Sequence, residues 1–201
     1  MMQAKKSEKQ QTRQAGFALI EAMIAMVILT IGLCGVLASL QYAINGTESA
    51  QEDLIARHKA IAAMESIYSA RNSQQIPFSE INNVSAGGIF LNGAQPLKCP
   101  GVDGLVGTAN VVNCTAQDTG VACPGGVECL VLPGPDGILG TADDQVMSLS
   151  NFTRTIAFNP VIQSSGVANP NLIAVTITVS YTKPNFPTRN YVLNALISSY
   201  H

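Results

Sequence analysis

The chain has 201 residues, room for one domain with or without an anchor, and 47% hydrophobic against 12% charged is apolar for a soluble protein. The formal net charge is −2 and no basic cluster follows Arg13, so a nucleic-acid surface is not expected, because an acidic body repels phosphate backbones. Catalysis is not expected either: there is no Gly-x-Ser-x-Gly, phosphate loop, His-Glu-x-x-His or Cys-x-x-Cys, and the two histidines are His58 and His201.

The first 16 residues carry Lys5, Lys6, Lys9 and Arg13 against one acid, Glu8. From Phe17 to Leu40 the only charge is Glu21, and Ala22 to Leu40 is a 19-residue uncharged run. At ~1.5 Å per residue a helix of that length spans the ~30 Å hydrocarbon core of a bilayer. The flank beyond it brings Glu48, Glu52 and Asp53 before any base, so the positive-inside rule keeps the N-terminus cytoplasmic and exports the rest. A secretory signal peptide cut after Val36-Leu37-Ala38, or a plain anchor, fits the same hydropathy but leaves Glu21 without a reason. An acid inside such a run costs roughly 3 kcal/mol, which marks it as functional by default. A lipoprotein reading fails because Cys34 follows the bulky Leu33.

Gly16-Phe17-Ala18-Leu19-Ile20-Glu21, placed between a short basic leader and the apolar stretch, resembles the type IV prepilin cleavage and methylation motif. The continuation Ala22-Met23-Ile24-Ala25-Met26-Val27-Ile28-Leu29-Thr30-Ile31-Gly32-Leu33 is similar to that of the type IV pilus modification (PilV-type) minor pilins, and pseudopilins of type II secretion share the same start. The resemblance covers about residues 10–70. It implies that prepilin peptidase cuts between Gly16 and Phe17 and methylates the new amine of Phe17, and that Glu21 sets subunit register by meeting that amine on a neighbouring copy. Glycine before the cut lets the peptidase approach the backbone closely, and a carboxylate shielded from water needs a positive partner. Loss of residues 1–16 would leave seven bases against twelve acids, a side-chain charge of about −5. Major pilins usually carry a proline in the second half of this segment; here there is none before Pro77, and Gly32, Gly35 and Gly46 are the candidates for loosening the helix.

Beyond the membrane segment, Leu54, Ile61, Met64 and Tyr68 recur on one face, with Arg57, Lys59 and Glu65 off it, and predict that the helix continues over 41–73 and ends near Arg71-Asn72-Ser73. Residues 87–140 hold 12 of the 17 glycines and Cys99, Cys114, Cys123 and Cys129, an even number in an oxidising compartment. Two disulfides are expected, with three pairings open; the intervening spacings of 14, 8 and 5 do not suit a zinc site.

Within that region Pro100-Gly101-Val102-Asp103-Gly104-Leu105-Val106-Gly107-Thr108-Ala109-Asn110 recurs 33 residues later as Pro133-Gly134-Pro135-Asp136-Gly137-Ile138-Leu139-Gly140-Thr141-Ala142-Asp143, followed by Asp144. Asp136, Asp143 and Asp144 are candidate Ca²⁺ ligands, since glycines allow tight curvature and expose carbonyls to a hard cation. The competing reading is a hairpin turn between Leu130-Val131-Leu132 and Val146-Met147-Ser148. The first copy ends in Asn110-Val111 and is expected to bind weakly or not at all.

Three alternating runs follow, about 148–158, 172–182 and 189–199. Thr176, Thr178 and Ser180 alternate with Val175, Ile177 and Val179, and turns containing Asn169-Pro170 and Pro184-Asn185-Phe186-Pro187 separate the runs. The fold expected is α+β and pilin-like: a leader (1–16), a transmembrane and filament-core helix (17–40), its amphipathic continuation (41–73) and a head (74–201). The head comprises a Gly/Cys-rich loop region (87–145) and an antiparallel β-meander (148–200) covering the helix.

The resemblance implies a minor pilin that is incorporated into or primes a pilus, serving assembly, adhesion or twitching. Its implied partners are other pilin subunits, prepilin peptidase and the inner-membrane assembly platform, with residence in the bacterial inner membrane before assembly and in an extracellular or periplasmic filament afterwards. The alternatives are a type II secretion pseudopilin and a membrane-anchored calcium-dependent binding module that never polymerises.

Overall fold

The structure is a computed structural model describing residues 11–115, 122–183 and 187–200, with side chains described from Leu19 onward. The chain divides into two compact units, one ending at Gln51 and the other beginning at Glu52. Helix α1, Gln11–Asn72, supplies the described part of the first unit and the opening of the second.

In the first unit every large apolar side chain from Leu19 to Ile44 is exposed, Met26 at 70% and Leu29 at 69% among them. From Leu19, α1 contains an 18-residue window of mean hydropathy 2.5, enough in length and composition to cross a bilayer. Helix continues through Gly32, Gly35 and Gly46 without a break, and no atom lies within 4 Å of where a Cβ would stand at any of them.

In the second unit α1 buries Ile55, Ala56, Ala60, Ala63, Met64, Ile67 and Ala70, a stripe at spacings of three and four. Leu54, expected on that face, is 54% exposed, and Tyr68 is half-buried with its hydroxyl donating to Leu196 O at 2.8 Å. The buried stripe is shifted by one or two positions, and four of its seven residues are alanine. Gln74, at φ 58, turns the chain into the left-handed region after α1, and Gln75 N donates back to Ala70 O at 2.9 Å, closing the last turn as a glycine usually would.

Among the described residues six strands follow: β1 (Gln95–Pro96), β2 (Cys129–Leu132), β3 (Gln145–Ser148), β4 (Phe152–Ile162), β5 (Ala168–Tyr181) and β6 (Arg189–Ser198). The main sheet has the order β1-β4-β5-β6, and all its pairings are antiparallel. This is the expected meander, with Val175, Ile177 and Val179 fully buried on the face toward α1, as the alternation in β5 requires. Burial of one such side chain is worth about 1.5–3 kcal/mol.

Two details differ from the expectation. The run 148–158 is divided, because Leu149–Asn151 turn the chain from β3 into β4, with Phe152 N donating to Leu149 O at 3.0 Å. Asn169-Pro170 lies inside β5 rather than in a turn; the reversal is made at Gln163–Val167, where Gly166 has φ 81, and the β4–β5 register shifts between Pro160 and Ile162. Proline withholds a ladder donor, so both prolines sit where the pairing is already irregular. Pro184-Asn185-Phe186 fall outside the described residues.

Where β1 stops pairing, a side chain continues the edge of β4: Asn83 Nδ2 donates to Ile156 O at 2.8 Å and its Oδ1 accepts from Phe158 N at 3.0 Å. A single amide satisfies both backbone groups of an otherwise open strand edge.

Candidate functional site

Glu21 sits on α1 as an exposed carboxylate among exposed apolar neighbours, and Ile20, Ile24, Ala25 and Ile28 line a groove beside it. Gly16 and Phe17 belong to the same helix, and the Phe17 side chain lies outside the described residues. Thr30, a second polar residue in this stretch, returns its hydroxyl to Val27 O at 2.8 Å. Between Leu19 and Leu40 Glu21 is the one charged side chain, set among large apolar side chains that are all exposed and favour lipid or protein over water.

Residues 11–37 match the prokaryotic N-terminal methylation motif. No curated protein and no solved structure matches the chain. The motif covers the segment in which sequence reasoning placed Gly16, Phe17 and Glu21. With the α+β fold, the apolar helix and the disulfides, it supports a type IV pilin-like or pseudopilin protein, a structural rather than a catalytic class, and fits anchoring in the inner membrane.

In the second unit the structure chooses among the three disulfide pairings: Cys99 bonds Cys114 and Cys123 bonds Cys129. All four cysteines are buried and form a cluster of their own, apart from the main core, so the staples pack on one another rather than on the sheet. Cys34 is unpaired and exposed on α1.

The two copies of the aspartate–glycine motif fold alike. Asp103 Oδ1 accepts from Leu105 N at 3.1 Å and Asp136 Oδ1 from Ile138 N at 2.9 Å, while Gly104 N bonds Gly101 O and Gly137 N bonds Gly134 O, both at 3.0 Å. Gly104 and Gly137 have φ of 66 and 70. Their surroundings differ: Leu105 and Thr108 of the first copy are fully buried, whereas Ile138 and Leu139 of the second are about 60% exposed.

In the first copy Asp103 Oδ2 also accepts from Thr108 Oγ1 and Asn110 Nδ2, each at 3.1 Å. In the second, Asp143 stands where Asn110 does. Its Oδ1 accepts from Thr141 Oγ1 at 2.6 Å and its Oδ2 from Asp136 N at 3.4 Å, and Asp144 Oδ2 accepts from Gly140 N at 2.6 Å. The Thr141 hydroxyl holds the Asp143 carboxyl below its ordinary range. The copy joins β2 to β3, paired from Cys129↔Ser148 to Leu132↔Gln145, which is the hairpin reading. Among the described residues no three histidine, cysteine or acidic side chains are gathered as a metal-holding group.

Two charged groupings were not visible in the sequence. Asp53, an acid early in the second unit, accepts from Tyr181 Oη at 2.6 Å and pairs with Arg189 at 3.2 Å, fastening α1 to β5 and β6. Burial, then the Asp53 bond, push the Tyr181 hydroxyl up to about 12. The other joins Lys59 of α1, Glu128 before β2 and Arg154 of β4. Lys59, read as a solvent-facing charge, is half-buried and ion-paired with Glu128. Arg154, inside an alternating strand, points to the covered side, where only the polar break in the pattern Phe152-Arg154-Ile156-Phe158 signals it.

Proposed function

We propose that this chain is a minor type IV pilin of the pilus modification type, matured by prepilin peptidase and built into or priming a pilus. The observation that carries the proposal is the exposed Glu21 carboxylate, fifth in order from Phe17 within a methylation motif and set among apolar side chains that need a non-aqueous cover. Cleavage between Gly16 and Phe17 frees an amine at the end of that cover. When α1 segments of neighbouring subunits pack side by side, an amine on one copy neutralises Glu21 on the next, and any other axial register leaves a charge unpaired in an apolar medium. Breaking a shielded pair costs about 3–5 kcal/mol, which makes the pair a register device.

The head then sits outside the membrane, its loop region closed by disulfides that an oxidising compartment maintains. Adhesion, twitching or assembly priming are the roles open to such a subunit, and its partners are other pilins, the peptidase and the inner-membrane platform.

Mass spectrometry of the mature protein is expected to show N-methylated Phe17 as the first residue, and Glu21→Ala is expected to abolish incorporation into fibres. An uncut leader, an N-terminus at Ser39, or normal maturation and fibre incorporation of Glu21→Ala would each refute the proposal. Deletion of the gene is expected to alter surface pili while protein secretion continues; the opposite outcome assigns the subunit to a type II secretion machine.

A further inference from the structure

Beside α1 in the second unit lies a cavity of about 270 Å³ whose charged lining is Lys59, Glu128 and Arg154, with Ser66 returning its hydroxyl to Ala63 O and an apolar wall that includes Ala62, Ala63 and Val106. Arg154 is 4% exposed, and its Nη1 is 3.9 Å from Glu128 Oε1. Glu128 is already engaged by Lys59, so one carboxylate serves two cations and the wall carries a net charge of +1 in a protein whose overall charge is negative. Among the described residues Arg154 Nε has no hydrogen-bond partner, although it is buried. A buried guanidinium with an unused donor destabilises the fold unless something meets its charge. Burial itself disfavours the charge on Arg154, against the pull of Glu128.

We propose that this cavity is a binding site for a small monocarboxylate, its carboxylate on Arg154 and Lys59 and its short apolar body against Ala62, Ala63 and Val106. One negative charge brings the wall to neutrality, whereas a phosphate or sulfate dianion would leave an excess negative charge in a desolvated place. Size limits the ligand as well, since sites for drug-sized molecules begin at about 300 Å³. Cys99 and Cys129, one from each disulfide, border the cavity and hold its shape before the ligand arrives, which lowers the ordering cost of binding.

The test uses the full chain in nonionic detergent, following the melting midpoint while sodium butyrate replaces sodium chloride at constant ionic strength. A saturable rise is expected, because a ligand that binds the folded state stabilises it by mass action. Lys59→Met is expected to weaken the apparent affinity by about tenfold and Arg154→Met to abolish the response, while Arg189→Met, outside the cavity, keeps it. Should Arg154→Met fail to fold, Lys59→Met decides alone. No saturable rise up to about 100 mM butyrate, where a millimolar site is filled, means that the cavity holds water only and overturns the proposal. It is equally overturned if Lys59→Met responds as the parent does, or if inorganic phosphate raises the midpoint and butyrate does not.

Discussion

Replacing Cys99 and Cys114 together by alanine opens a loop that their bond closes across 15 residues, and the same change at Cys123 and Cys129 opens one of 6. In the chain-entropy account a cross-link closing 15 residues stabilises the folded state by about 3 kcal/mol and one closing 6 by about 2 kcal/mol. The longer loop carries Leu105 and Thr108 into the core, so its release also frees buried side chains, whereas the shorter one encloses none of the main core. The Cys99–Cys114 variant is therefore expected to be the less stable. Urea unfolding of the full chain in nonionic detergent measures this through tyrosine emission, since tryptophan is absent and Tyr181 is buried. With slopes of about 1–3 kcal/mol per molar urea, the longer-loop variant should lose about 1–3 M in midpoint. Because the two bonds touch, the loss on removing both should differ from the sum of the separate losses. Equal midpoints for parent and variants, or a larger loss at Cys123–Cys129, would refute the reasoning that the staples act through loop closure.

Gly101→Ala would place a Cβ 2.0 Å from the backbone oxygen of Asn110, and it is expected to cost about 1–3 kcal/mol in the same urea assay, whereas Gly93→Ala meets no neighbour and costs only the strain of its φ of 75. Tyr181 holds its proton more tightly in the folded state, so its contribution is complete below the unfolded value near 10 and is lost as pH rises toward about 12; the stability gap between parent and Tyr181→Phe should be constant to about pH 9 and narrow above 10. At the second aspartate–glycine loop Asp136 Oδ1, both Asp143 oxygens and Asp144 Oδ2 already accept from loop amides and Thr141, while Asp144 Oδ1 is buried without a partner, so with one open oxygen calcium is expected to leave the melting midpoint in place up to about 1 mM. A saturable rise that Asp143→Asn removes would establish the calcium site instead.

The segment that matches the N-terminal methylation motif was legible in the sequence because its signals are local and chemical: a basic leader, Gly16 before Phe17, and one acid in an apolar run. Strand β5 was legible for a similar reason, since Val175, Ile177 and Val179 alternate with small polar residues over enough positions to fix a face. The helix stripe was less so, because four of its seven buried residues are alanines, too weakly apolar to stand out beside Leu54. Asn169-Pro170 misled for a related reason: proline reads as a break, but a strand whose pairing is already irregular accommodates it.

Composition, periodicity and the N-terminal motif by themselves determined the order of elements, the apolar segment, the expectation of two cross-links and the α+β class. Tertiary structure alone decided which cysteines bond, which of two near-identical loops enters the core, and that Lys59, Glu128 and Arg154 share a cavity wall. The physical reason is distance along the chain. Propensity and patterning act within about ten residues, but Lys59 and Arg154 come to share Glu128 only in the folded chain, and nothing near either residue in sequence records that pairing.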